Sequence, residues 1–333
     1  MVASAASLRV AFFGTPDFAV PSLQALLRSG HAVVGVVTQP DRPRGRGQRV
    51  AESPVKQVAM TRALPVLQPE RLKDEAFLTA MREWQADLGV VAAYGKILPA
   101  AVLDMPRLGL INVHASLLPR HRGAAPVHRA VIAGDTDTGV SIMRVVQALD
   151  AGGVFATVTR PIGPDDTSAD VEVDLARLGA ELLIRVVDEL AAGEARDTPQ
   201  DADAATYAHR LQKEEGLIDW RREAGAVHNQ VRGLQPWPMA WTTMGPRRLI
   251  VLRTRLVADL PVTVVPPGTV IDITRDAVRI QTGAGALDML TVQPEGRRAM
   301  PARDYAAGHH LGPGSCLGVG PPPTAGPDAV TRS

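Results

Sequence analysis

Cysteine is nearly absent: Cys316 is the only one in 333 residues. One thiol excludes an internal disulfide framework and any cysteine-rich zinc or iron–sulfur site. It fits a reducing compartment. An excess of one charge is also lacking. Lys+Arg 36 against Asp+Glu 35 leave a formal net charge of +1, so a polyanion must be met by a local patch. No apolar run reaches the ~18 residues of a membrane span. The first residues, MVASAASLRVAFFG, hold no apolar core of signal-peptide length. These absences predict a soluble, cytoplasmic protein that does not meet a membrane. The dinucleotide fingerprint is missing too. The first strand–turn–helix reads GTPDFAVPS, where Pro16 removes an amide and Phe18 adds bulk at the place a pyrophosphate must approach. His114, His121 and His128 share no face, and His309–His310 has no third ligand nearby, so no metal is expected.

What is present is an ordinary globular composition, 45% hydrophobic and 21% charged, in a chain long enough for two domains. Apolar runs at Leu8–Phe13, His31–Val37, Leu88–Ala93, Leu108–Val113 and Val140–Val146 predict strands. Helical patterns alternate with them, including one over Ser53–Leu64 with Ser53 as N-cap and Pro54 in the first turn. Further helices are expected over Asp74–Trp84 and Thr167–Ala192. Strands alternating with helices argue an α/β class with a Rossmann-like, doubly wound, mostly parallel sheet. Beyond Trp220, short β-like runs at Leu249–Leu252, Val262–Val265, Thr269–Ile273, Ala277–Gln281 and Leu287–Val292 suggest a small OB-like β-barrel. The expected organisation is a catalytic domain over 1–192, a polar linker over 193–210, the barrel over 211–311, and a Pro/Gly-rich disordered tail over 312–333.

The chemistry concentrates at the end of the fourth predicted strand. Asn112 and His114 in LINVH share one face of a strand, with Ile111 and Val113 on the other. Two polar side chains there cost free energy unless they are paired. The dipeptide alone reads as a satisfied structural pair; at the carboxyl end of a parallel strand it also faces the usual ligand crevice. Asn supplies an oxyanion donor and His a group titrating near neutrality. Asp150, after the next strand, could reach His114, orient it and raise its pKa, although an Asp before glycines is more often a turn residue. The loop Gln39–Arg49 holds four arginines against one aspartate. It reads either as an exposed, mobile solvated loop or as a phosphate contact. Trp237 and Trp241 in QPWPMAW read as core packing before a stacking surface.

Taken together these residues resemble the methionyl-tRNA formyltransferase family, one of the folate-dependent formyltransferases. The resemblance runs from about Leu8 to Met300, through FFGTPDFAVPSLQALL, VVTQPDRPRGRGQ, SPVKQVA, AAYGKILP, INVHASLLPRHRGAAP, LDAGG, KEEGLIDW and QPWPMAW. It implies that Asn112, His114 and Asp150 are catalytic. Ser116, Leu117, Leu118 and Pro119 are implied to line the folate site. Arg42 and Arg46 match basic positions of a loop reaching the tRNA acceptor end, and Arg44 adds to their charge. Gly153 departs from the family, which usually carries an acid there. The implied reaction moves the formyl group of 10-formyltetrahydrofolate to the α-amine of methionyl initiator tRNA. Asn112 and a protonated His114 would stabilise the tetrahedral oxyanion, with Asp150 holding that proton. The resemblance also implies a monomer. The alternatives are formyl transfer to an amino-sugar nucleotide or a purine precursor, and a non-catalytic RNA-binding protein.

Overall fold

The computed structural model describes residues 7–44, 49–258 and 265–318. They form two compact units: one of residues up to Val127 with Asp137–Pro161 and Asp170–Arg210, the other of His128–Thr136, Ile162–Ala169 and the chain from Leu211. Among the described residues no helix is long and apolar enough to cross a membrane.

Up to residue 210 the chain forms β1 (Arg9–Gly14), α1 (Val20–Arg28), β2 (Ala32–Val37), β3 (Arg42–Arg44), β4 (Arg49–Ala51), α2 (Pro54–Thr61), β5 (Val66–Leu67), α3 (Glu75–Glu83) and β6 (Leu88–Ala92). It continues with α4 (Ala100–Leu103), β7 (Leu110–His114), β8 (Arg122–Gly123), α5 (Pro126–Ala133), β9 (Asp137–Arg144), β10 (Val154–Pro161), α6 (Ser168–Ala192) and β11 (Tyr207–Ala208). Seven strands make the main sheet of the first unit, in the order β10-β9-β7-β6-β1-β2-β5. The pairs from β7 through β5 are parallel, and β9 and β10 add an antiparallel edge. Val10 to Phe13 of β1 are wholly buried, as a strand covered by helices on both faces requires. Helix α2 starts as its sequence signals: the Ser53 hydroxyl accepts the Lys56 amide at 3.1 Å, and Pro54 needs no donor in the first turn.

Two differences from the sequence reading matter for the site. The predicted strand Val140–Val146 starts earlier, at Asp137, and stops at Arg144, which leaves residues 145–153 to form a loop. Its hairpin partner β10 alternates half-buried and exposed residues along an edge, so it has no apolar run to reveal it. The segment 193–210, read as a linker, is bound into the first unit. Thr198 exchanges backbone hydrogen bonds with Val154 at 2.8 and 2.9 Å, and β11 pairs in parallel with β8.

The second unit contains α7 (Ala224–Gly233), β12 (Ala240–Met244), β13 (Arg247–Leu256), β14 (Val270–Ile273), β15 (Val278–Gln281), β16 (Ala286–Pro294), β17 (Met300–Pro301) and α8 (Ala302–Gly308). Its antiparallel sheet runs β12-β13-β16-β15-β14, with β17 on β16, consistent with a small barrel. Irregularities in β13 around Arg253 bend that long strand. The predicted strand over Val262–Val265 falls largely outside the described residues. The tail is ordered at its start. Ser315 accepts from the Val270 amide at 2.8 Å, the Leu317 amide donates to Gly268 at 2.9 Å, and the Gly318 amide donates to Thr243 at 2.8 Å. Residues 315–318 therefore join the two edge strands, β14 and β12, and close the sheet. Trp241 is buried in this unit, with the Arg248 guanidinium 4.6 Å from its ring centre, whereas Trp237 is half exposed.

Candidate active site

Strand β7 lies between β6 and β9, and its period of two divides its side chains cleanly. Val113 faces α6, close to Gly179 of that helix. Asn112 and His114 therefore face the opposite side. Asn112 is half buried, and its side chain hydrogen-bonds to no described residue. His114 is 5% exposed. Its Nε2 is 3.1 Å from the His121 carbonyl. A carbonyl only accepts, so Nε2 carries the proton and Nδ1 is left facing Asp150 Oδ2 at 3.7 Å. That separation is too long for a hydrogen bond. The expected meeting of His114 and Asp150 is present, and the carboxylate acts to raise the His114 pKa as expected, but burial outweighs it. Burial lowers it below the ordinary value of 6.5, and the Asp150 charge only partly offsets the lost solvation.

Asp150 has a left-handed backbone, φ 45°. It is held by one backbone amide and one distant side chain. Its Oδ2 accepts the Gly123 amide at 2.8 Å. The Gln200 amide group donates to the Asp150 carbonyl at 2.8 Å and to the Gly152 carbonyl at 2.7 Å. Gln200 Oε1 in turn accepts from Arg122 Nε and Nη2 at 3.0 and 2.7 Å. A Cβ at Gly152 would lie 1.9 Å from the Arg144 carbonyl, so only glycine fits that turn. At Gly153 a Cβ would lie 2.4 Å from Asp197 Oδ2. Asp197 accepts from Arg144 Nε at 3.0 Å and Nη2 at 3.2 Å. The acid absent at 153 is thus matched in space by a carboxylate from residue 197. Neither Gln200 nor Asp197 was legible as a site residue, because both lie in a stretch with linker composition.

Ser116, Leu117, Leu118 and Pro119 form a bracket over β9. The buried Ser116 hydroxyl donates to the Arg120 carbonyl at 2.6 Å, while Ser141 Oγ donates to the Ser116 carbonyl at 2.7 Å and accepts from the Leu118 amide at 3.1 Å. Leu117 to Pro119 are half buried. A cavity of about 310 Å³ is lined by Leu103, Asp104, Leu110, Arg144, Val145 and Gln147 among others. None of residues 116–119 lines it.

The arginine segment is a short antiparallel ribbon, with Arg42 opposite Ala51 and Arg44 opposite Arg49. Its one acid is committed elsewhere: Asp41 pairs with Lys56 of α2 and accepts from Gln68 at 2.8 Å. These contacts, Lys56 foremost, hold the Asp41 carboxyl below its usual range. Arg42 is exposed; the Arg44 side chain and Arg46 lie outside the described residues.

A model of the formyl transferase family matches residues 8–187. A model of the formyl transferase C-terminal domain matches residues 210–310. Methionyl-tRNA formyltransferase of Moorella thermoacetica is 45% identical over 311 residues, covering 93% of this chain and 99% of its own. That of Methylococcus capsulatus is 45% identical over 304 residues, covering 91% and 98%. The N-formyltransferase of Helicobacter canadensis, solved with folinic acid and dTDP-3-aminofucose, shares the fold at a TM-score of 0.64 and 14% identity, over 85% of this chain and 99% of its own. With matches across both units and curated relatives of nearly the same length, the chain belongs to the formyl transferase family.

Proposed function

We propose that this chain transfers the formyl group of 10-formyltetrahydrofolate to the α-amine of methionyl initiator tRNA. The observation that carries this reading is the meeting of His114 and Asp150 beside Asn112 at the carboxyl end of β7, in a chain 45% identical to a methionyl-tRNA formyltransferase along 99% of that protein. The folate supplies the electrophilic formyl carbon. The cavity would take its ring system, with Leu103, Leu110 and Val145 as apolar lining and Asp104 and Gln147 as polar groups. The Asn112 amide, unpartnered among the described residues, donates to the formyl oxygen as negative charge builds on it. His114 Nδ1, kept neutral by burial, takes the proton that the attacking amine sheds and returns it to N10 of the folate as the formyl C–N10 bond breaks and tetrahydrofolate leaves. Asp150 faces that nitrogen and stabilises the imidazolium as it forms. The positive charge thus arrives with the proton and does not stand beforehand. Ser116–Pro119 brace the floor of this site through Ser141.

The exposed Arg42, with Arg44 and Arg46, meets tRNA phosphates near the acceptor end, since Asp41 is spent on Lys56. On this reading the chain is a cytoplasmic monomer serving translation initiation. Transfer of labelled formyl from 10-formyltetrahydrofolate to initiator methionyl-tRNA, elongator methionyl-tRNA and free methionine tests it. Product on the initiator species alone is expected. Transfer to an amino-sugar nucleotide with none to any tRNA would overturn it.

A further inference from the structure

We propose that Gln200 is a positioning residue, anchored by Arg122, that fixes the Asp150 carboxylate against His114. The proposal rests on reading His114 and Asp150 as the catalytic pair. Three consecutive residues hold the three parts of this arrangement. The His121 carbonyl receives His114 Nε2 at 3.1 Å. The Gly123 amide donates to the Asp150 carboxylate at 2.8 Å. Between them, the Arg122 guanidinium grips Gln200 Oε1 through two nitrogens at 3.0 and 2.7 Å. Gln200 closes the ring by donating to both the Asp150 and the Gly152 carbonyls. Only one orientation of the amide satisfies all four contacts: the guanidinium has no acceptor, and the two carbonyls have no donor.

The arrangement has work to do. A non-glycine residue in the left-handed region is strained and persists only where its surroundings hold it. Asp150 sits there at φ 45°. Its peptide must stay turned for the side chain to reach Gly123 and to face His114. Arg122 is 6% exposed, so its charge is buried and needs the Gln200 oxygen. Released from Gln200, Asp150 itself would keep the Gly123 hydrogen bond alone, and the 3.7 Å separation from His114 would no longer be fixed.

Gln200→Met, Arg122→Met and the double variant test this, with Gln200→Glu as a variant that keeps an acceptor for Arg122 but loses both donors. In Gln200→Met and Gln200→Glu, kcat is expected to fall ~10- to 10²-fold, the scale for a group displaced by about 1 Å. KM for both substrates should stay within about twofold of wild type, since no substrate contact is removed. The double variant should lose no more than the worse single one, because the two side chains act as one chain of contacts. Multiplying losses, or wild-type kcat in both Gln200 variants, would overturn the proposal. The His114 ring titration, followed by NMR, provides a readout independent of the acceptor. It should move to lower pH in Gln200→Met as the carboxylate drifts away. An unmoved titration in a folded Gln200→Met protein would overturn the positioning role. A moved titration with no formyl transfer by wild type would instead overturn the reaction and leave the positioning role standing.

Discussion

Burial and charge pull the proton on His114 in opposite directions, and burial prevails at 5% exposure and 3.7 Å from the carboxylate. The sign of the pH dependence follows. With its folded pKa below the ordinary 6.5, the folded chain holds fewer protons on this ring than the unfolded chain does between those two values. The stability it contributes is whole above pH 6.5 and is lost as pH falls towards the folded pKa. Activity should fall over the same range, because a ring already protonated cannot take the proton of the amine. The acid limb of kcat is therefore expected below 6.5, matching the NMR titration of His114. A ring that titrates above 6.5 would restore the standing imidazolium expected from Asp150 alone. Asn112 offers a second test at this scale. Asn112→Ala should lower kcat by ~10²–10³, the cost of losing one oxyanion donor. Wild-type kcat in that variant would remove Asn112 from the mechanism.

Among the elements, the ribbon of β3 and β4 makes the plainest electrostatic case. Its one acid, Asp41, is paired with Lys56 of α2. Replacing Arg42 and Arg46 with alanine should raise KM for methionyl-tRNA and lower the slope of log KM against log salt by about one to two, with kcat unchanged. An unaltered slope would make the ribbon a solvated hairpin. The ribbon also marks the limit of composition as a guide: four arginines with prolines and glycines read as a mobile loop, yet residues 42–44 and 49–51 pair in register. The central strands were legible because a strand buried on both faces must be apolar throughout, as in β1 and β6. Asn112 and His114 stood out because they break that rule on one face of β7, and the family resemblance, not the pattern, gave them a role. The edge strand β10 and the Gln200 segment were not, because each is polar and gains its place from partners distant in sequence. Arg122 is 78 residues from Gln200.

At the scale of the molecule, the second unit depends on a part that composition dismissed. Residues 315–318 satisfy backbone groups on β12 and β14 together, and Leu317 is buried at 2% exposure. Ending the chain at Leu311 should leave two open sheet edges, the usual template for pairing between chains. A lower melting temperature for this unit and concentration-dependent association in light scattering are expected; a monomer with unchanged melting would show that the barrel holds without the closing segment. That segment also sets an order of events during synthesis. It leaves the ribosome after every other strand of the barrel, and its partner Thr243 lies some 75 residues earlier in the chain. Contacts of such long range form slowly because much chain must be ordered before they are made. The first unit, complete by Arg210, can be folded while the barrel still waits for its last strand.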